Sequence, residues 1–311
     1  MFEIKRYTPD LADEWNAFVA QSKNGTFLFD RGYMDYHADR FHDHSLIIYR
    51  REKCYALLPG CVDGDTFYSH KGLTYGGLVM SDKTTAADVV QIFKLLNVML
   101  KEEGIKRVVY KPVPWIYHRQ PSEEDLYAIV EICGATMSRG LSSAVSREHH
   151  SEWYRIRECG VRHASHMGLT VEESEDYWAF WEVLSKNLLE RHGLSPVHTV
   201  EEIELLHQRF PKLIRLMVVK ENTEVVGGTV LYISGRVVHS QYIAASPRGK
   251  KIHALDYLFH VILPKALQEH AFFDFGISTE KHGTYLNEGL IYQKEGFGGR
   301  GICYDWYEWN L

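Results

Sequence analysis

Two stretches of this chain distribute apolar and polar positions in the same way. Residues 45–59 run from Ser45 through Leu46, Ile47 and Ile48 to the charged turn Arg50, Arg51, Glu52 and Lys53. They then become apolar again up to Pro59, and 66–70 follow as a short strand. This predicts strand, charged turn, strand, turn, strand. Residues 216–230 and 237–241 repeat the plan, with Lys220, Glu221 and Asn222 in the turn. A shift of about 171 positions superposes the two and sets Ser69 on Ser240. Each copy continues into an amphipathic helix and a further apolar strand, at 107–110 and 272–276. A duplicated α/β unit is the expectation, with a substrate site in a cleft between the copies.

The rest of the pattern fills in around these repeats. Thr8 and Pro9 open a helix carrying Leu11, Trp15, Phe18 and Val19 on one face. Residues 81–103 carry Val89, Ile92, Phe93, Leu96, Met99 and Leu100 at helical spacing, and Gly104 stops them. Ser122 caps a helix with Leu126, Ile129, Val130 and Cys133 inward. Residues 141–157 read as a strand and a connection. A helix near 175–190 has the stripe Tyr177, Trp178, Trp181, Leu184 and Leu188, and Arg191 and His192 suit its C-terminus. Thr199 and Glu202 form a capping box. Strands follow at 213–219, 225–233 and 237–244. A helix over 252–270 contains Pro264, which predicts a kink or break. Residues 271–277 and 303–309 are the last strands. The boundary between units falls near 150, giving domains 1–150 and 151–311.

Composition narrows the class. At 311 residues, with 45% apolar and 13% aromatic content, the chain suffices for two cores. The net charge of −6 gives no global attraction to nucleic acid or anionic membranes. The first residues lack a signal-like apolar run, and no apolar stretch is long enough to span a bilayer. Five scattered cysteines without a Cys-x-x-Cys pair fit reduced thiols in a cytoplasmic protein. His163 and His166, or His42 and His44, have workable ligand spacing but no accompanying zinc pattern, so no metal is expected.

The order of strands, then 244–255 leading into a helix, then another strand, resembles the GNAT acyltransferase fold. Residues 273–278, 283–290 and 294–298 resemble its FemAB-like branch, whose members carry two GNAT-like domains in tandem. The resemblance implies an α/β chain (α+β, mixed sheets) of two tandem GNAT-like domains packed side by side, the first recognising the acceptor and the second binding the donor and catalysing. It implies acyl-coenzyme A as co-substrate, with Arg248, Gly249, Lys250 and Lys251 at the pyrophosphate. Backbone N–H groups around Ala244 and Ala245 would hold the pantetheine or the oxyanion. Lys251 and His253 stand where the family has small residues. Lys294 maps to a phosphate-facing lysine, and Tyr285 or Tyr292 to the acid. His239 is the candidate base, sharing a strand face with Gln241 by alternation and opposed to Ser240 and Tyr242. His70, Tyr75 and Lys111, with Gln241 and Lys294, are candidates for binding a small-molecule or cell-wall-precursor acceptor.

The branch includes enzymes that use aminoacyl-tRNA, commonly with a long helical arm. This chain has no pair of long charged heptad helices, which with its acidic charge argues against a tRNA donor. The expected reaction is acyl transfer from a thioester to an amine. The alternatives are an aminoacyl-tRNA-dependent cell-wall peptidyltransferase and a non-catalytic binding module.

Overall fold

The computed structural model describes residues 1–311, apart from the side chains of Arg191 and His192, which lie outside the description. Two compact units emerge. The first comprises Met1–Gly140, Lys281–Tyr285 and Cys303–Leu311, and the second Leu141–Glu280 and Leu286–Ile302. The C-terminal strand Arg300–Asn310 thus adds its last part to the first unit, where it pairs with Arg107–Tyr110.

Register shows how closely the units repeat. In the first, Leu46–Arg50 pairs antiparallel with Lys53–Leu58, and a bulge follows Ile48↔Ala56, so that Tyr49 opposes Cys54. In the second, Ile214–Glu221 pairs with Glu224–Ser234, and a bulge follows Val219↔Gly227, so that Lys220 opposes Val225. The four positions differ by the same offset that the sequence pattern suggested. Cys61–Asp63 against Thr66–Tyr68 matches Tyr232–Ser234 against Val237–His239 in the same way. Both units then add a three-residue parallel pairing. Tyr68 sits opposite Val109 in one, and His239 opposite Asp274 in the other.

The first core is built on the helix Ala86–Glu102, whose Val89, Ile92, Phe93, Leu96 and Leu100 are all buried with Phe67, Tyr110 and Trp309. Thr85 caps it by accepting from the Asp88 N–H. The second core lies between the sheet and the helix Ala254–Glu269, around Leu258, Phe259, Phe273, Phe275 and Phe297. Each is a continuous apolar cluster, the dominant favourable term for a domain of this size.

Several local expectations are corrected. Ser122 caps nothing: its hydroxyl donates to the Gln120 carbonyl, and the helix runs Glu124–Glu131 with Val130 exposed. Trp178 is likewise exposed, off the buried stripe of Tyr177, Phe180, Trp181 and Leu184. Pro264 lies inside one continuous helix, Ala254–Glu269. The connection after residue 146 contains a helix, Arg155–Ser165, whose buried face is only Gly160 and Ala164. The Thr199–Glu202 capping box forms as expected.

Candidate functional site

The informative event in the second unit is the parting of two strands. Val237–Ala245 and Phe272–Ile277 run parallel from Val237↔Phe272 to His239↔Asp274, and then the pairing stops. Beyond that point Val237–Ala245 pairs only with Glu224–Ser234, through Tyr242↔Val230 to Ala245↔Gly227. Gln241 is the extra residue of a bulge, since Val230 opposes Tyr242 and Leu231 opposes Ser240. Directly paired residues share a sheet face. The bulge therefore corrects the alternation: His239 lies on the face of Tyr242 and Ala244, with Ser240 and Ile243 on the other. Tyr242 packs edge-on against Trp181 and bonds His198, while the Ser240 hydroxyl pairs with Thr229.

At the last paired position, His239 Nδ1 lies 2.9 Å from Asp274 Oδ2. Asp274 is fully buried, and its other oxygen accepts from the Ser142 hydroxyl and the Gly276 N–H. A buried carboxylate held by that many donors has a fixed orientation and so fixes the imidazole. With Nδ1–H donating to Asp274, the His239 Nε2 lone pair is the one available to take a proton. The Gly276 backbone is left-handed (φ +78°), and a Cβ there would sit 3.3 Å from the His239 ring. That glycine lets the strand turn away beside the histidine.

The gap opened by the parting strands is a narrow groove of about 160 Å³. Ile243, Ala244 and Ala245 form one wall, Phe275 the other, and Leu255, Phe259 and Lys294 contribute from flanking helices. Asn187 Nδ2 donates to the Ala245 carbonyl, 3.0 Å away. Lys294 is buried, and its ammonium donates to the carbonyls of Gly276 and Ile277 at 2.7 and 2.8 Å. Burial pushes its pKa down to about 8, against the opposing pull of Asp274.

The structure thus brings His239, Ala244, Ala245 and Lys294 into one neighbourhood, with the Gln241 amide oxygen buried and lacking a hydrogen-bond partner. Beside them, the turn predicted for phosphate is Pro247–Lys251, capped by Ser246, whose hydroxyl accepts from the Gly249 N–H. Arg248 forks onto Glu221, and Lys250 and Lys251 are exposed. Tyr292 is half-exposed and packs at a tilt against Tyr154, outside the groove lining.

The remaining candidates belong to the first unit. Tyr285 is exposed there beneath the Lys281 ammonium. Tyr75 is buried and donates to the Thr26 hydroxyl. Lys111 is half-buried, donates to the Leu73 carbonyl and is pushed down to about 8 by desolvation. His70 is buried at φ +74° and is driven to about 3, by burial first and then by His37, Lys111 and Arg31. Sequence reading set Asp274 and Gly276 at the strand end by resemblance but missed the pairing of Asp274 with His239, Ser142 behind it, and Asn187. Asp274 had a readable signal, a single carboxylate inside the apolar run 272–277. Among the described residues no group of three or more His, Cys, Asp or Glu side chains could hold a metal ion, and no helix is long and apolar enough to cross a membrane.

Residues 151–284 match the family model of the acetyltransferase (GNAT) domain. No curated protein matches the chain. Among solved structures, FemX is similar over 99% of this chain and 97% of its own, with a TM-score of 0.70 at 14% identity. L-PGS from Bacillus licheniformis is similar over 96% of this chain and 91% of its own, with a TM-score of 0.63 at 14% identity. A tandem GNAT protein from the clavulanic acid biosynthesis pathway matches over 100% and 98%, with a TM-score of 0.57 at 9% identity. With strands parting at a bulge in the matched region and a second, register-matched unit before it, residues 151–284 are a GNAT domain, and the chain as a whole shares its fold with FemX and a tandem GNAT protein.

Proposed function

We propose that the second unit transfers an acyl group from a thioester donor, such as acyl-coenzyme A, to an amine. The observation that carries this reading is the His239–Asp274 pair set where the strands part, beside the groove of Ile243, Ala244 and Ala245. The amine nitrogen attacks the thioester carbonyl carbon, forming the C–N bond, and His239 Nε2 takes the proton the nitrogen must lose. Asp274 holds the resulting imidazolium in place and offsets its charge. The C–S bond then breaks, and His239 returns the proton to the departing thiolate, leaving amide and thiol. Backbone N–H groups of the Val237–Ala245 strand that lack a strand partner on the groove side are the source of oxyanion stabilisation.

The test is thiol release from acetyl-coenzyme A or succinyl-coenzyme A in the presence of separate pools of amino acids, amino sugars and polyamines. Amine-dependent release that falls in His239→Ala supports the proposal. The similarity to FemX favours a second reading, aminoacyl transfer from charged tRNA, and product formed only with charged tRNA would select it. An absence of transfer from both donor classes, with retained amine or precursor binding, would leave a non-catalytic module.

A further inference from the structure

We infer that the donor is held by its pantetheine arm alone, without a clamp on a diphosphate. This rests on the acyl-transfer reading above and adds to it the chemical class that the donor site recognises.

The groove between the parted strands is slim and mostly apolar, with Ile243, Leu255, Phe259 and Phe275 among its walls. Its volume of about 160 Å³ is below the roughly 300–1,000 Å³ typical of sites that take a compact drug-sized ligand. It suits a thin chain with amide groups, and it excludes a nucleotide.

Where the groove meets the turn at 246–253, several groups that could receive phosphate already have partners within the protein. The N–H of Gly249 bonds the Ser246 hydroxyl, that of Lys250 bonds the Ser246 carbonyl, and that of Ile252 bonds the Arg248 carbonyl. The Arg248 guanidinium forks onto Glu221. The long helix that follows carries its own anion in its first turn: Asp256, 3% exposed, lies 2.9 Å from both His253 Nδ1 and Arg157 Nη1. A carboxylate there satisfies the positive end of the helix from within. His253, at φ 58°, occupies a left-handed position with a full side chain, which its bond to Asp256 holds in place. The adjoining wide groove of about 800 Å³ offers no cationic field either. Its lining has as many carboxylates as cations, and Lys186, Lys220 and Arg248 are paired with Glu182, Glu172 and Glu221.

Calorimetric titration of the full chain with coenzyme A, pantetheine and adenosine 3′,5′-bisphosphate tests this without knowledge of the acceptor. Pantetheine should bind within about fivefold of coenzyme A, and the bisphosphate should neither bind nor compete. The coenzyme A affinity should change less than about twofold between low and physiological salt, because no exposed charge pair is made. Arg248→Ala and Lys250→Ala should each leave it within about twofold as well. Coenzyme A binding about a hundredfold tighter than pantetheine, or competition by the bisphosphate, overturns the inference and leaves the acyl-transfer reading standing. Failure of both coenzyme A and pantetheine to bind removes the acyl-thioester reading itself. A holo acyl-carrier protein, titrated alongside, separates the two sources of the arm. Tighter binding than coenzyme A assigns a protein-borne donor and weaker binding assigns coenzyme A, each in support of recognition through the arm.

Discussion

The two units follow one register as far as Tyr68 and His239, and there they diverge. In the first, the strand ends at Tyr68, the chain turns through His70, and Val79–Met80 takes the place beside Ala56 and Leu57. In the second, the strand continues through the Gln241 bulge to Ala245 and itself pairs with Gly227 and Gly228, the positions that match Ala56 and Leu57. The first unit therefore has no counterpart of the parted strand that walls the groove. Tyr68 and Val109 stand where His239 and Asp274 stand, and neither can act as a base backed by a carboxylate. Duplication preserved the scaffold of hairpin, bulge and parallel pair. Chemistry depends on what one strand does after its last shared residue.

The buried histidines sharpen the contrast. His239 has a buried carboxylate at hydrogen-bond distance. His70 has His37, Lys111 and Arg31 as its charged surroundings, all of which oppose gaining a proton. The same side chain is paired with a carboxylate in one unit and, in the other, kept neutral by burial and cationic neighbours.

The largest expected effect comes from breaking the pair that only the second unit has. His239→Ala should lower kcat in the thiol-release assay by about 10²–10⁴, the range for loss of a general base. Asp274→Asn should fall in the same direction, while Tyr68→Phe, at the matching position of the first unit, should stay within about twofold. Equal losses from Tyr68→Phe and His239→Ala would abolish the distinction between the units.

A smaller effect should appear in stability, where the buried ionisable groups of the first unit act. Asp125 is buried, accepts from the Tyr110 hydroxyl, and is pushed up to about 7 by desolvation. A carboxyl raised in the folded state adds stability that is complete below the unfolded pKa near 4 and lost as pH rises through 7. Asp125→Asn should remove that dependence, so the variant should gain on the parent by roughly 2–4 kcal/mol between pH 4 and 8 in denaturant titrations. A gap that does not change with pH would mean that the carboxyl is already ionised in the fold.

His70 should give the smallest effect, with the opposite pH sense. Its folded pKa lies below the unfolded value of about 6.5, so stability is lost as pH falls below 6.5 toward 3. At pH 5 the loss attributable to this group should be about 2 kcal/mol, and His70→Gln should abolish it. If the variant instead keeps the full acid limb, His70 takes its proton readily in the fold and the contrast with His239 weakens.

The repeat was legible because a bulge and a hairpin turn leave marks at fixed spacing in local sequence: the charged turns at 50–53 and 220–224, with β-rich runs on either side. The Thr199 cap and the apolar stripe of the helix Ala86–Glu102 were readable for the same reason, since each depends on neighbours within one or two turns. His239 was legible as a candidate, and Asp274 as a lone carboxylate in an apolar strand.

Tertiary structure decided the rest. The Arg155–Ser165 helix escaped notice because its buried face is made of Gly160 and Ala164, which leave no apolar stripe. Alternation placed His239 with Gln241, but the pairing across the sheet sets where the bulge falls, between Leu231↔Ser240 and Val230↔Tyr242. The link from His239 to Asp274 spans 35 positions, and the one from Asp274 to Ser142 spans 132. The sequence by itself determined which segments become strands and helices and that the pattern occurs twice, because those choices rest on local periodicity. Only the folded chain decided which of the two copies holds the His239–Asp274 pair and the groove, because these arise where strands distant in sequence meet and part.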